Sequence, residues 1–314
     1  CIVAAPRGTG KSYVLAGVAL KAMIQERVRF PVLIPWKARD LKQTLGFWKN
    51  ALCFNATFGL DYHEWCAPFI ACRGKAQKIT SYTDENGDQI GAQLIVSEGM
   101  IVLPHSRGVI GGATINGNPL GLHFTTDDGE GLRPDLIFID DPQDRDTAMS
   151  QLQVKNTIQL IDFDIAGMGG PDVAMPIMMA GTVKQRDDVA EHYLNHAEWR
   201  AVRVPQIIDW PTNRELWDNW NEVRIEGAAD RDGGKADRAF YRKHKAELTE
   251  GVKLSWDHRF VDKATTDMPP QPDAIYSAMH DFYVLGEGPF MAERQNAPLD
   301  AVGAQYNLTI EAIC

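Results

Sequence analysis

Cysteine is scarce in this chain of 314 residues, which carries five, at positions 1, 53, 66, 72 and 314. An odd number at such sparse spacing gives no disulfide framework and suits a reducing compartment such as the cytoplasm. His63 lies among the three central cysteines, but the paired Cys-x₂-Cys spacing of common zinc sites is absent. We therefore expect half-buried thiols and a surface histidine, with a zinc site as the less favoured alternative.

Long apolar runs and an excess of positive charge are also lacking. No stretch approaches the roughly 20 apolar residues that span a bilayer, and the first residues lack the pattern of a signal peptide. The formal net charge of −10 argues against a protein that coats nucleic acid non-specifically. We therefore expect no membrane partner, although a local basic patch can still contact nucleic-acid phosphates.

Apolar residues are abundant, at 44% of the chain, so a sizeable core can be buried. Strand-like and helix-like segments alternate over the first two-thirds of the sequence, which predicts an α/β fold with a mainly parallel central sheet flanked by helices. The predicted buried strands include residues 1–4, 30–35, 136–139 and 173–180. A helix is predicted over residues 11–26. Its predicted apolar face consists of Val14, Leu15, Val18 and Ala22.

Composition divides the chain near residue 212. Residues 1–212 are predicted to form the α/β core, with a β-rich insertion at about residues 74–125, where turn signals separate alternating segments. Residues 213–314 predict a small helical subdomain, in which the spacing of Trp217 and Trp220 favours packing onto a core over an aromatic-basic DNA surface. Because the chain starts without Met on a strand-like run, we expect that the N-terminal part of the core is missing.

A glycine-rich loop follows the first predicted strand and precedes the first predicted helix. It matches the P-loop pattern, with alanine in place of the usual first glycine, and consists of Ala5, Pro6, Arg7, Gly8, Thr9, Gly10, Lys11 and Ser12. In such a loop, backbone N–H groups surround phosphate oxygens and the helix N-terminus adds positive potential. Lys11 is predicted to reach the β- and γ-phosphates of ATP, and Ser12 to bind Mg²⁺ through its hydroxyl. The alternative is a glycine-rich turn with an exposed lysine.

Two carboxylates end the predicted strand at residues 136–139. Open α/β sheets bind ligands at the carboxyl ends of their strands, where these acids lie. Asp140 is predicted to bind Mg²⁺, and Asp141 to be the base that orients the attacking water. The alternative is an Asp-Asp turn after an ordinary strand. A third element ends at Thr182, whose hydroxyl either senses the γ-phosphate or caps a helix.

These elements, in this order, resemble the ATPase domain of the large terminase subunit of tailed bacteriophages. The resemblance rests on four segments spread over most of the chain: RPDLIFIDDP at 133–142, DRDTAMS at 144–150, AGTVKQRDD at 180–188 and FMAERQNAP at 290–298. In the last segment Arg294 replaces the aromatic residue that is usual in the family.

The resemblance implies an ASCE-type P-loop ATPase that uses ATP and Mg²⁺ to translocate double-stranded DNA into a procapsid. The implied partners are a portal protein, a small terminase subunit and sister subunits in a homo-oligomeric ring, in the host cytoplasm and transiently on the procapsid. The family's nuclease domain would follow this chain, so no nuclease activity is expected of it. The residues that hold adenine would precede the chain.

Two arginines take roles from the same resemblance. Arg7 matches an arginine that many terminases carry in the phosphate loop, and it is expected to contact the γ-phosphate or the transition state. Arg133 is the nearest candidate for an arginine finger that acts in trans on a neighbouring subunit. Either arginine is otherwise an exposed loop charge. Two other functions stay open: another P-loop DNA translocase or helicase, and a truncated inactive fragment that only binds partners.

Overall fold

The computed structural model describes residues 1–84, 86–97, 99–104, 107–117, 119–126, 129–170, 174–265 and 269–299. The strands are β1 (Ile2–Ala4), β2 (Pro31–Pro35), β3 (Gln77–Thr83), β4 (Gln89–Val96), β5 (Met100–Val102), β6 (Val109–Gly112), β7 (Phe124–Thr125), β8 (Gly131–Leu132), β9 (Leu136–Asp140), β10 (Ile177–Gly181), β11 (Ala201–Arg203), β12 (Ile207–Asp209) and β13 (Lys253–Leu254). The helices are α1 (Lys11–Ile24), α2 (Ala38–Phe54), α3 (Ala56–Asp61), α4 (His63–Ala71), α5 (Arg145–Ala148), α6 (Gln151–Gln159), α7 (Val189–Asn195), α8 (Arg214–Ala229), α9 (Lys235–Lys243), α10 (Lys245–Thr249), α11 (Ala274–Leu285) and α12 (Glu287–Glu293), with a π-helical turn at Leu160–Ile165 after α6.

A central sheet organises the fold. Over the described residues it has nine strands, in the order β11-β1-β10-β9-β2-β6-β5-β4-β3. Strand β9 pairs in parallel with β10 and with β2, and β2 pairs in parallel with β6. Beyond β6 the pairs with β5, β4 and β3 are antiparallel. On the other side, β1 bonds to β10 through the Cys1 N–H to the Ile177 carbonyl and the Met179 N–H to the Cys1 carbonyl, which is a parallel pattern. The sheet is mostly parallel and flanked by helices, which confirms the predicted α/β architecture.

The central strands are continuous apolar runs. All five residues of β2 and all five of β9 are buried, as expected for parallel strands covered on both faces. The four strands predicted from such runs are present as β1, β2, β9 and β10. Strand β10 begins at Ile177, later than predicted, and residue 173 lies outside the described residues.

Helix α1 forms as predicted, but only part of its predicted apolar face is buried. Val14 is 64% exposed and Val18 is 38% exposed. Leu15 is buried, as predicted, and the other buried residues of the helix are Ala16, Ala19, Leu20 and Met23. Apolar residues occur all round this helix, so their spacing did not select a face. The buried face carries two alanines, whose small side chains allow close approach to the sheet.

The chain forms two compact units. The sheet unit comprises Cys1–Val3, Gly8–Gly181 and Asp187–Val202. The C-terminal unit comprises Ala4–Arg7, Thr182–Arg186 and the residues from Arg203 onward. Each unit has its own hydrophobic core.

The core of the C-terminal unit is aromatic. Trp217 and Trp220 are both 0% exposed, and their rings meet edge to face at 5.2 Å. Each indole N–H donates to a main-chain carbonyl, that of Trp217 to Leu248 at 2.9 Å and that of Trp220 to Asp237 at 3.0 Å. The prediction that these two tryptophans pack a helix onto a core is therefore confirmed.

His63 is exposed, as predicted, but the three central cysteines are buried rather than half-buried. Their thiols lie near different carbonyl groups, and burial raises the pKa of each, that of Cys66 to about 11. Within the described residues no group of three or more His, Cys, Asp or Glu side chains is arranged to hold a metal ion. A search of the same residues finds no helix with the length and apolar character needed to cross a bilayer.

Candidate nucleotide-binding site

The candidate phosphate loop connects β1 to α1. Gly8 and Gly10 have φ angles of 81° and 78°, a region that glycine adopts without the steric cost that other residues meet. Gly10 is the N-cap residue of α1, and no side chain there caps the helix. The first N–H groups of a helix have no partner within it, so such an end suits an anion. The strand–loop–helix arrangement is the one predicted from the sequence.

Asp140, at the carboxyl end of β9, lies beside this helix end. Its side chain is 6% exposed and accepts a hydrogen bond from the Ser12 hydroxyl. Burial raises the pKa of Asp140 to about 6. The Ser12 hydrogen bond and the charge of Lys11 oppose that rise, while Asp141 adds to it. The structure therefore brings Lys11, Ser12 and Asp140 together within the sheet unit.

One oxygen of Asp140 is the most informative atom of the site. Oδ1 is buried and has no hydrogen-bond partner among the described residues. A buried carboxylate oxygen without a partner is costly, and buried charges are normally paired or bound to metal. A carboxylate and a hydroxyl are oxygen ligands of the kind that Mg²⁺ prefers. Ser12 and Asp140 thus fit a magnesium ion, whose charge would favour the ionised form of Asp140.

Asp141 turns the chain sharply after the strand. Its φ angle is 45°, in the left-handed region, which Asp tolerates better than most residues. Its N–H donates to the carbonyl of Ala180 at 2.8 Å, which ties the turn to β10. The adjacent acids Asp140 and Asp141 are therefore held at the edge of the sheet where its parallel strands end.

Several polar residues at this edge were missed from the sequence. Asp40, in the first turn of α2, is close enough to raise the pKa of Asp140 further, and the Trp36 side chain donates to Asp144. Both follow β2, the parallel neighbour of β9. Gln143 is 3% exposed and accepts from the N–H of Val189 at 2.7 Å. A signal did exist for the first two, because polar residues after a buried strand gather at the carboxyl edge of the sheet.

Thr182 and Arg7, two further predicted site residues, belong to the C-terminal unit. Thr182 is 4% exposed, and its hydroxyl donates to the carbonyl of Ala5 at 3.4 Å. The side chain of Arg7 is 77% exposed, and its Nη1 lies 3.9 Å from Oε2 of Glu293. The main-chain N–H of Arg7 donates to the carbonyl of Glu293 at 3.2 Å. Thr182 is therefore attached to the first half of the phosphate loop.

Arg133 lies apart from these acids. It precedes β9, whereas Asp140 ends that strand, so the two residues lie toward opposite ends of β9. Arg133 is exposed and lines a cavity together with His123, Phe163 and Asp164. Its predicted role in trans, like the roles predicted for Thr9 and Pro6 in the loop, stays a prediction.

Comparison with known proteins gives only remote likeness. No family model matches the chain, and no curated protein matches it significantly. A point mutant of the Thermus phage P74-26 large terminase ATPase domain is 11% identical, with a TM-score of 0.34 over 71% of this chain and 82% of its own. Another structure of that domain is 12% identical and has a TM-score of 0.31. The match covers 79% of this chain and 87% of that structure's chain. The Phi-28 gp11 DNA packaging motor is 11% identical and has a TM-score of 0.34. The match covers 84% of this chain and 67% of the motor's chain. Likeness at this level does not decide what this chain does.

Proposed function

We propose that this chain is an ATPase that binds MgATP at residues 5–12 and drives viral DNA packaging, the translocation of double-stranded DNA into a procapsid. The observation that carries the ATPase part is the Ser12–Asp140 hydrogen bond at the start of α1, with the buried, unpartnered Oδ1 of Asp140 beside it. A hydroxyl and a carboxylate meeting at an uncapped helix end favour a metal-bound phosphate over an ordinary glycine-rich turn.

The proposed roles follow from chemistry and position. Lys11 would neutralise the β- and γ-phosphates, and Ser12 and Asp140 would hold Mg²⁺. Bound Mg²⁺ would supply positive charge to the phosphates of ATP. Asp141 would orient the attacking water. Thr182 would respond to the γ-phosphate through its attachment to the loop.

Arg7 would stabilise charge that develops on the γ-phosphate during transfer. The exposure of its guanidinium leaves it accessible to a ligand. Arg133, which is also exposed, would serve a neighbouring subunit as an arginine finger. The exposed positions of both arginines also suit solvated loop charges, so activity measurements on each variant must decide between the two roles.

The strand order supports the ASCE-type assignment. Strand β10 lies between β1, which leads into the loop, and β9, which ends in Asp140. One strand inserted between these two is what the ASCE-type arrangement requires. Asp141, directly after β9, would then take the place of the acidic residue that activates water.

The packaging part of the proposal rests on the resemblance of four ordered sequence segments to the large terminase subunit. It includes double-stranded DNA, a portal protein, a small terminase subunit and a homo-oligomeric ring as partners, and the host cytoplasm and procapsid as location. The named likenesses are a large terminase ATPase domain and a DNA packaging motor. They agree with the proposal but are too remote to add weight to it.

The test is ATP hydrolysis by the purified chain with and without double-stranded DNA. We expect DNA to stimulate hydrolysis, and Lys11→Ala to abolish it because the phosphates lose their main countercharge. Lys21→Ala is the matched control, since Lys21 is an exposed lysine of the same helix. Hydrolysis that is absent, or equal in the two variants, would contradict the ATPase assignment and favour an inactive fragment.

A forked DNA substrate distinguishes a packaging motor from a helicase. A packaging motor moves along duplex DNA without opening it, so we expect no strand separation when ATP is hydrolysed. Efficient unwinding of the fork would instead favour a helicase.

A further inference from the structure

Two arginines of the C-terminal unit share one main-chain acceptor in the phosphate loop. Nη2 of Arg259 donates to the carbonyl oxygen of Arg7 at 2.6 Å, and Nη1 of Arg294 donates to the same oxygen at 3.0 Å. Hydrogen bonds from a guanidinium are stronger than those between neutral groups. With the bond from the Arg7 N–H to Glu293, both sides of Arg7 are held by side chains and backbone of this unit.

This arrangement is unfavourable in other respects. Burial and the nearby charge of Arg294 lower the pKa of Arg259, and the main opposing charge is Asp281, which pairs with Arg294 at 2.9 Å. Nη1 of Arg259 and Nε of Arg294 are buried without a hydrogen-bond partner among the described residues. Two like charges with unsatisfied donors contribute little to stability. Their common acceptor is therefore the feature to explain.

The geometry of the peptide unit explains it. The carbonyl of Arg7 and the N–H of Gly8 belong to one planar trans peptide, so they point in opposite directions. Gly8 has a φ angle of 81° and lacks the side chain that restricts other residues. Unless its carbonyl is held, this peptide can rotate and take the Gly8 N–H away from a ligand.

We propose that Arg259 and Arg294 are positioning residues of the phosphate loop, which hold the Arg7 carbonyl and so aim the Gly8 N–H at a nucleotide phosphate. The proposal rests on the proposed function in one respect, because it takes the ligand of the loop to be a phosphate. It also gives a role to Arg294, the residue that departs from the aromatic pattern of the resembling family.

The test compares lysine variants in the full chain. Arg294→Lys and Arg259→Lys keep the charge but lose the fork that reaches the carbonyl, and Arg242→Lys, at an exposed arginine of α9, is the matched control. A hydrogen bond to a charged group is worth enough for about a tenfold rise in KM for ATP when it is lost. We expect that rise in both variants, with a smaller change in kcat and none in the control. Asp281→Asn should change KM less, because it leaves the carbonyl bond in place.

Hydrogen exchange of the peptide that covers residues 5–12 gives a second readout, which needs no nucleotide. Both variants should exchange faster there than the wild type and the Arg242→Lys control, with melting temperatures confirming that they are folded. Unchanged KM and unchanged exchange would overturn the positioning role. If the wild type hydrolyses no ATP, the proposed function fails, and the exchange measurement still decides whether the two arginines fix the loop.

Discussion

The two units bury different chemistry. The central strand of the sheet unit buries mainly aliphatic side chains, such as Ile137 and Ile139 of β9 at 0% exposure, although the core of this unit also contains Trp48 and Phe138. The centre of the C-terminal unit is built from large aromatic side chains, among them Trp217, Trp220 and Tyr276. Aliphatic side chains have no polar atoms to satisfy, whereas each Tyr or Trp brings a hydroxyl or an N–H that needs a partner when buried.

Carboxylates supply partners for the tyrosines. The Tyr276 hydroxyl donates to Oδ2 of Asp237, and that of Tyr241 donates to both oxygens of Asp273, at 2.8 and 2.9 Å. Burial, and the bonds to these acids, raise the pKa of both tyrosines. In the C-terminal unit, packing and buried charge therefore depend on each other. The sheet unit also contains one such pair, in which the buried Tyr193 hydroxyl donates to Asp162 at 2.7 Å, but Ile137 and Ile139 of its central strand bring no polar side-chain atom that needs a partner.

The largest expected effect is the loss of a central aromatic side chain. Trp220→Ala empties a fully buried site and leaves a cavity among aromatic neighbours, and we expect a loss of roughly 3–5 kcal/mol in the free energy of unfolding. Denaturant unfolding followed by circular dichroism measures it. Trp256→Ala is the control, because Trp256 is 45% exposed. Equal losses in the two variants would show that the aromatic core is not what stabilises the unit.

A smaller loss of stability is expected when only the hydroxyl of a buried tyrosine is removed. Tyr276→Phe removes one hydroxyl and leaves Asp237, 3% exposed, without that donor. An unsatisfied buried group costs about 1–3 kcal/mol, or more when charged. Tyr13→Phe, at a tyrosine that is 60% exposed, should change stability little. A loss below a few tenths of a kcal/mol for Tyr276→Phe would mean that packing and buried charge are independent of each other at this site.

Removing one methylene group from the sheet unit should lower the free energy of unfolding by less than the changes in the C-terminal unit. Ile137→Val removes one methylene from the centre of the sheet unit, and we expect a cost of about 0.5–1.5 kcal/mol. Ile95→Val, at a residue that is 41% exposed, provides the control in the same sheet. A cost as large as that of Tyr276→Phe would remove the distinction between the two cores.

The smallest effect is a dependence of stability on pH. Burial and the charge of Arg224 lower the pKa of His280, against the opposing charges of Asp281 and Asp237. Its folded pKa is thus below the unfolded value of about 6.5, and the unfolded chain binds more protons between the two values. The part of the stability that depends on neutral His280 is then fully present above about pH 6.5, and it decreases as the pH falls below that value.

The melting temperature of the wild type measured between pH 7.5 and 5.5 should show this fall. His280→Gln should reduce the dependence of the melting temperature on pH, because the titration of His280 is removed. A variant of the exposed His63 should leave that dependence unchanged. A slope unaffected by His280→Gln would assign the dependence to other groups.

Sequence and structure agree best where the interactions are local. The buried strands were predicted from short apolar runs, and the loop from residue types at fixed spacing. The hydrogen bond from Ser12 to Asp140 follows from the fold, because parallel strands and the helices after them meet at one edge of the sheet. The buried face of α1 was predicted only in part, because Leu15 is buried but Val14 and Val18, although apolar, are exposed.

Contacts between distant segments were beyond the reach of sequence reasoning. Arg294 stood out as a departure from a pattern, but nothing in the pattern related it to the carbonyl of Arg7. Gln143 and Arg259 gave no signal at all, because their contacts depend on a three-dimensional arrangement rather than on residue type.

The hydrogen bonds that Arg259 and Arg294 donate to the Arg7 carbonyl also have a consequence during protein synthesis. Its bonds reach 252 residues along the chain to Arg259 and 287 residues to Arg294. Asn296, which is 0% exposed, accepts from Val183 and donates to Val204 across separations of 113 and 92 residues. Ribosomes add roughly 5–20 residues per second, so the loop leaves the ribosome well before the residues that fix it. We therefore expect the first half of the phosphate loop to mature late, after the sheet strands up to β10 have been made.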